Sequence, residues 1–236
     1  MRKYLIETHM HTGNTSPCGK VDAREAIRIY HKLGYDAVCV TDHFYGKFFD
    51  KLNGLTWKDK VDAYLDGYRN AKDEGEKLGI QIILGMEYCI PETRNDFLIY
   101  GFDEEFLYDH TDMYLLDIDD IKNLCTQNDL LIIQAHPFRT MVSGTYDEIV
   151  EGYEGYNGHP RHENRNELAF EHALNFGGII ISGSDFHQAV DAGTGGIYLP
   201  ELPKNSRELA DLIREAKTPE LIMNESFKER FNLNIS

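Results

Sequence analysis

Tyr4-Leu5-Ile6-Glu7-Thr8-His9-Met10-His11 is a short apolar run that ends in two histidines one residue apart, and the same design recurs along the chain. Ala37-Val38-Cys39-Val40 leads into Thr41-Asp42-His43, and Ile80-Gln81-Ile82-Ile83-Leu84 into Gly85-Met86-Glu87. Leu130-Leu131-Ile132-Ile133 runs toward Ala135-His136-Pro137, and Ile179-Ile180-Ile181 into Ser182-Gly183-Ser184-Asp185-Phe186-His187. The runs are β-rich and mostly continuous, as strands buried on both faces are. Phe97-Leu98-Ile99-Tyr100 predicts a further strand, and a weaker one is predicted from Tyr153 to Tyr156.

Amphipathic stretches separate these runs. Asp22 with Glu25 reads as a capping box for a helix carrying Ala26, Tyr30 and Leu33, with Gly34 as its stop. Thr56 with Asp59 opens a longer helix ending before Gly79, the stretch from Leu168 to Phe176 predicts another, and Ser206 caps a last one. Strand alternating with helix predicts an α/β fold around a parallel sheet, here a barrel. In such a barrel the C-terminal ends of the strands share one face, so the histidines and acids that follow the strands are expected to converge there. No repeat or linker divides the chain, so a single domain over 1–236 is expected, with loops over the site at 44–55 and 143–163.

The balance of 24 Lys and Arg against 40 Asp and Glu, a net charge of -16, disfavours binding to extended nucleic acid. A small anionic substrate stays compatible with it, because bound divalent ions reverse the local field. No apolar run approaches the roughly 20 residues of a membrane-spanning helix, and no signal-like core follows Met1, so a cytoplasmic location is expected. Cys18, Cys39, Cys89 and Cys125 lack Cys-x-x-Cys spacing, which argues against a zinc ribbon or a disulfide framework.

His-x-His on an extended segment points both imidazoles to one side, where they can grip one ion. Alone this is weak, but five segments deliver His9, His11, His43, Glu87, His136, Asp185 and His187 to one predicted face. Mixed nitrogen and oxygen ligands suit Zn, Mn or Fe. The set exceeds what one ion needs, so two or three divalent ions with a bridging carboxylate are expected. Such centres polarise a phosphoryl or carbonyl oxygen and make hydroxide available near pH 7.

In these motifs, His9-x-His11, Thr41-Asp42-His43, Ala135-His136-Pro137 and Asp185-x-His187 with Glu87 between the second and third, the chain resembles the PHP (polymerase and histidinol phosphatase) superfamily from about residue 4 to about residue 190. The resemblance implies a distorted barrel of seven strand-helix units, a di- or trinuclear Zn, Mn or Fe centre, and hydrolysis of a phosphate ester. It implies that His9, His11, Glu87 and Asp185 hold one ion, Glu87 and His136 a second, and His43 with His187 a third. Asp96 stands where family members often carry a histidine, and Thr12 to Gly19 lacks the family's acid or imidazole and offers Cys18 instead. Asp96 and Cys18 are therefore the further candidate ligands, and the third site is expected to be the weakest. A C-terminal helical segment over about 204–236 lies beyond the motifs.

Arg139, three residues after His136, reads either as a substrate-phosphate contact or as a surface arginine. Arg161 and His162 read as rim or solvated loop residues, His172 as a packing residue, and Asp42 as an orienting partner or a turn former. His43 is the candidate proton donor among the side chains. The expected function is hydrolysis of a small phosphomonoester, such as histidinol phosphate or a nucleotide. The rivals are an amidohydrolase-like carbonyl hydrolase, which also begins with His-x-His, and a noncatalytic metal-stabilised module. Oligomeric state has no signature in the sequence.

Overall fold

Every apolar run quoted above forms a strand in the computed structural model, which describes residues 2–142, 144–231 and 233. The strands are β1 (Tyr4–Met10), β2 (Ala37–Val40), β3 (His43–Phe44), β4 (Gln81–Leu84), β5 (Met86–Cys89), β6 (Asp96–Tyr100), β7 (Leu131–Gln134), β8 (Gly152–Asn157), β9 (Ile179–Gly183), β10 (Gly196–Leu199) and β11 (Glu220–Ile222). Alternation within β2 shows why such strands read as continuous apolar runs. Ala37 and Cys39 face an inner cluster with Ile6, Ile83 and Ile133, while Val38 and Val40 pack against Ala26, Ile27 and Tyr30 of the helix Ala23–Lys32. With both faces covered, neither can be polar.

The α/β class holds, but a closed, all-parallel barrel is not found among the described residues. The strands form two sheets, ordered β11-β10-β1-β2-β4 and β3-β5-β6-β7-β8-β9. β1, β2 and β4 run parallel, as do β7, β8 and β9. β6 is antiparallel to both its neighbours, and β10 is antiparallel to β1 and β11. The cause is local: β5 reverses into β6 through a short turn closed by Ile90 N–H to the Asn95 carbonyl (3.1 Å), and a turn that short can join only antiparallel strands. The two sheets meet where Gly85 carries the chain from β4 into β5, and where Met10 bridges Phe186 beyond β9. A Cβ at Gly85 would stand 2.8 Å from Cys39 Sγ and 2.9 Å from Thr41 Cγ2.

The helices correct the sequence reading in several places, among them a short helix Gly46–Asp50 within the expected loop 44–55. Asp22 is the N-cap of Ala23–Lys32, but it accepts from Arg24 N–H (2.9 Å), and the expected capping box with Glu25 is not found among the described hydrogen bonds. The long helix expected after Thr56 is two, Trp57–Tyr64 and Asp66–Leu78, because the Thr15 hydroxyl donates to the Tyr64 carbonyl (3.0 Å) and accepts from Gly67 N–H (3.1 Å) at the break. Helices Glu104–Asp109 and Ile118–Gln127, capped by Asp103 and Asp117, lay outside the predicted set. The final helix, Ser206–Ala216, is capped by Asn205, since Ser206 Oγ accepts instead from Gly101 N–H. The expected C-terminal helical segment is interrupted by β11 before a short helix Glu225–Arg230; its residues 232 and 234–236, like Ser143 of the predicted loop and Met1, lie outside the described residues. No helix among the described residues is long and apolar enough to cross a membrane.

Candidate metal centre

The seven side chains expected to converge do so. His9 and His11 leave the end of β1 on one side, with their Nε2 atoms 3.1 Å apart and both rings fully buried. Glu87 on β5 stands at the middle. Its Oε1 is 3.1 Å from both His9 Nε2 and His136 Nε2, and its Oε2 is 3.3 Å from His11 Nε2 and 2.6 Å from His43 Nδ1. Pairing of β3 with β5 sets His43 directly opposite Glu87, which is why the two meet. Asp185 Oδ1 closes the other side, 3.5 Å from His9 Nε2, 3.3 Å from His11 Nε2 and 3.4 Å from His187 Nδ1.

Ligand atoms gather in overlapping sets, each within 4.8 Å: His9, His11 and Glu87; His9, His136 and Asp185; Glu87, Asp96 and His136; and His11, His43 and His187. Asp96 thus joins the centre, with its Oδ2 3.9 Å from His136 Nε2. These residues suit divalent cations on two observations. Glu87 Oε2 and His136 Nδ1 are buried without a well-aligned hydrogen bond, which is costly unless a cation or another polar partner is supplied. Burial favours uncharged His9, but the carboxylates of Glu154, Asp185 and Glu87 outweigh it and hold the ring well above its usual pKa, so the pocket attracts positive charge. Burial and the neighbouring His43 and His187 hold His11 well below its usual value, as a neutral ligand must be.

The surrounding groups fix which atoms face inward. His9 Nδ1–H donates to Glu154 Oε1 (2.9 Å), leaving Nε2 for the centre, and Glu154 Oε2 accepts from His136 N–H (2.9 Å) and Asn157 Nδ2–H (2.8 Å). His187 Nδ1–H donates to the Asp185 carbonyl (2.8 Å), which turns its Nε2 outward to the same space. Beneath them the fully buried Glu7 accepts from His9 N–H, Ser184 N–H and the Tyr30 hydroxyl, and burial pushes its carboxyl up to about 7. Asp42 does not touch the His43 ring. It accepts from Thr12 N–H (2.7 Å) and Ser16 Oγ–H (2.6 Å), and Ser16 Oγ in turn lies 3.4 Å from His11 Nδ1 and accepts from His43 N–H (3.0 Å).

Backbone conformation at two candidate ligands is unusual. His136 has φ of 30° and Asp185 of 51°, in the left-handed region that non-glycine residues avoid, and the surrounding hydrogen bonds maintain it. Gly183 is glycine for a related reason: a Cβ there would meet His9 Cβ at 2.4 Å and Glu154 Oε1 at 2.9 Å.

Three further candidates are also placed. Arg139 Nη2–H donates to Asp185 Oδ2 (2.5 Å) and Asn157 Oδ1 (3.1 Å), and its Nε–H to Asn164 Oδ1 (2.8 Å), so it braces a candidate ligand. Arg161 forks onto the buried Asp191, both contacts at 2.6 Å, and Asp191 accepts from His187 N–H and Gln188 N–H. Its guanidinium therefore steadies the loop that carries His187. The Cys18 thiol is hydrogen-bonded with His187 and His43; burial raises its pKa, but those bonds outweigh burial and bring it down to about 6. His172 packs edge-on to Tyr153, away from the centre.

Sequence reasoning missed Glu154, Asn157, Glu7 and Asp191. One signal for Glu154 was available: a glutamate in the middle of Tyr153-Glu154-Gly155-Tyr156, a strand otherwise without charge, needs buried donors to accept.

The arrangement defines a protein with a buried histidine-rich cluster, suited to divalent cations, at the ends of its strands, and the PHP domain profile matches residues 7–216. The chain belongs to the PHP domain family. No curated protein matches it significantly. Among solved structures, it resembles a two-domain protein containing a predicted PHP-like metal-dependent phosphoesterase from Bacteroides vulgatus (18% identity, TM-score 0.62), covering 90% of this chain and 64% of that one. This chain thus spans just under two thirds of that protein. PsfC from Pseudomonas syringae is similar over 99% of this chain and 96% of its own (15% identity, TM-score 0.65). An amidohydrolase from Chromobacterium violaceum, solved with sulfate and no metal, is similar over 94% of this chain and 99% of its own (14% identity, TM-score 0.55). At these identities the likeness concerns the fold.

Proposed function

We propose that the chain is a metal-dependent phosphoesterase that hydrolyses a small phosphomonoester at this centre, with two or three Zn, Mn or Fe ions. The observation that carries the reading is the buried Glu87 carboxylate, whose two oxygens face four imidazoles at 2.6–3.3 Å and so suit a bridge between ions. His9, His11 and Asp185 would hold one ion with Glu87; His136 with Glu87 and Asp96 would hold a second; and His43 with His187 would hold a third. Bound ions supply Lewis-acid charge on a phosphoryl oxygen and hydroxide near neutral pH.

The chain's own residues then have distinct tasks. Arg139 fixes Asp185 and adds positive charge where a phosphate would sit. With the third ion absent, His43, whose side chain is 24% exposed against 13% for His187, would be the imidazole to hand a proton to the leaving oxygen. Arg161 acts by holding the His187 loop. A net charge of -16 favours a small substrate over extended nucleic acid.

Arg139→Ala should leave Asp185 without its charged donor and weaken phosphate binding. A loss of about 2 kcal/mol in kcat/KM, roughly 30-fold, is expected together with partial metal loss. Unchanged kinetics and unchanged metal content would show that Arg139 neither binds substrate nor supports metal binding through Asp185.

The reading is tested by loading the protein with Zn, Mn or Fe and assaying phosphomonoesters, a nucleotide phosphodiester, an amide and a lactone side by side. Metal-dependent phosphate release from a monoester is the expected result. Turnover of only the amide or lactone would identify a carbonyl hydrolase, and a metal-loaded protein inert to a broad phosphate library would be a noncatalytic module.

A further inference from the structure

We propose that Cys18 is a metal ligand, its thiolate completing with His43 and His187 a sulfur-containing site that takes zinc in preference to manganese. This rests on the metal-centre reading above and assigns one site within it. The backbone brackets Cys18 between the two histidine segments. Two residues before it, Ser16 Oγ accepts from His43 N–H at 3.0 Å; two residues after it, Lys20 N–H donates to the His187 carbonyl at 2.8 Å. Gly19 N–H to the Ser16 carbonyl (3.0 Å) closes the turn, and a Cβ at Gly19 would meet the Thr12 carbonyl oxygen at 2.6 Å, so the turn is held tightly under the loop. The half-buried thiol thereby reaches both imidazoles.

A second observation is independent of the cysteine. The ligand nitrogens of His11, His43 and His187 lie within 4.8 Å of one another, and the buried Glu87 Oε2, lacking a well-aligned hydrogen bond, is aimed between His11 and His43. With His11 assigned to the first ion and Glu87 to the first and second, His43 and His187 leave a third ion short of protein ligands, and a thiolate supplies one of a particular kind. Sulfur with nitrogen favours zinc or iron(II), whereas manganese prefers oxygen. An aspartate in the same place would leave the site nearly indifferent between zinc and manganese. Cys89 is not a competitor: it hydrogen-bonds Asp96 at the opposite edge of the centre, and burial raises its thiol well above the usual range.

The test uses the full-length protein stripped of metal and titrated with Co2+, whose bond to a thiolate gives a charge-transfer absorption in the near ultraviolet. Wild type is expected to show that band. Cys18→Ser should lose the band and one equivalent of cobalt, and Cys89→Ser should keep both. Cys18→Asp should regain the equivalent without the band and narrow the zinc-over-manganese preference on the order of tenfold. A wild-type protein that binds two or more cobalt ions without the band overturns the Cys18 assignment while leaving the metal centre standing. Persistence of the band in Cys18→Ser, or its loss in Cys89→Ser, overturns it equally. A protein that binds no cobalt overturns both.

Discussion

Glu87→Gln is expected to lower turnover about 10^3-fold and to release more than one ion per chain. Its carboxylate is the only side chain within 3.3 Å of His9, His11, His43 and His136 together among the contacts described, so its charge reaches a ligand of each of the three proposed subsites. The amide keeps the size and one acceptor but removes the negative charge that offsets the ions. Several kcal/mol of charge stabilisation at about 1.4 kcal/mol per tenfold gives that magnitude. Elemental analysis of the purified variant beside its steady-state rate decides the matter. Full metal content with a rate within about twofold of wild type would show that Glu87 does not bridge.

The second large effect is expected from Glu154, a residue that touches none of the proposed ions. Glu154→Ala removes the acceptor that fixes His9 Nδ1–H and orphans the buried His136 N–H at one stroke. Losing such a support costs about 10–100-fold in metal affinity, and an unsatisfied buried amide costs about 1–3 kcal/mol of stability. Glu154→Gln, which keeps an acceptor, should recover part of both. Competitive titration against a chelator measures the affinity, and thermal unfolding of the metal-free protein measures the stability. Equal affinity in wild type and Glu154→Ala would show that His9 is oriented by something else.

Legibility of the centre in the sequence has a simple physical basis. In strands buried on both faces the interior is mostly apolar, so a histidine or acid stands out where the strand emerges, and β1, β2, β4 and β9 each lead that way into His9 and His11, His43, Glu87 and Asp185. That regularity identified seven candidate ligands without any contact being known. Residues inside a strand carry no such mark. Glu154 and Glu7 lie fully buried within β8 and β1, and only their partners, His9, His136, Ser184 and Tyr30, show what tolerates a carboxyl group there.

Sheet closure was illegible for a different reason. Apolar runs report that a strand is buried but not its direction, so the antiparallel insertion of β6 and β10 was hidden behind the strand-helix alternation of the rest. Likewise, nothing local reveals that Thr15 interrupts a helix some fifty residues away in the chain; the break depends on the Tyr64 carbonyl and Gly67 N–H arriving beside its hydroxyl.

By itself the sequence determined the α/β class, the strand ends that carry metal-capable groups, and the family to which the chain belongs. Period and residue chemistry are local properties, and both survive folding unchanged. Only the tertiary structure decided that Arg139 braces Asp185, that Arg161 is committed to Asp191, and that Cys18 sits between His43 and His187. Those pairings join segments from 25 to more than 160 residues apart, and at such separations what a side chain touches is set by the packing of whole strands and loops.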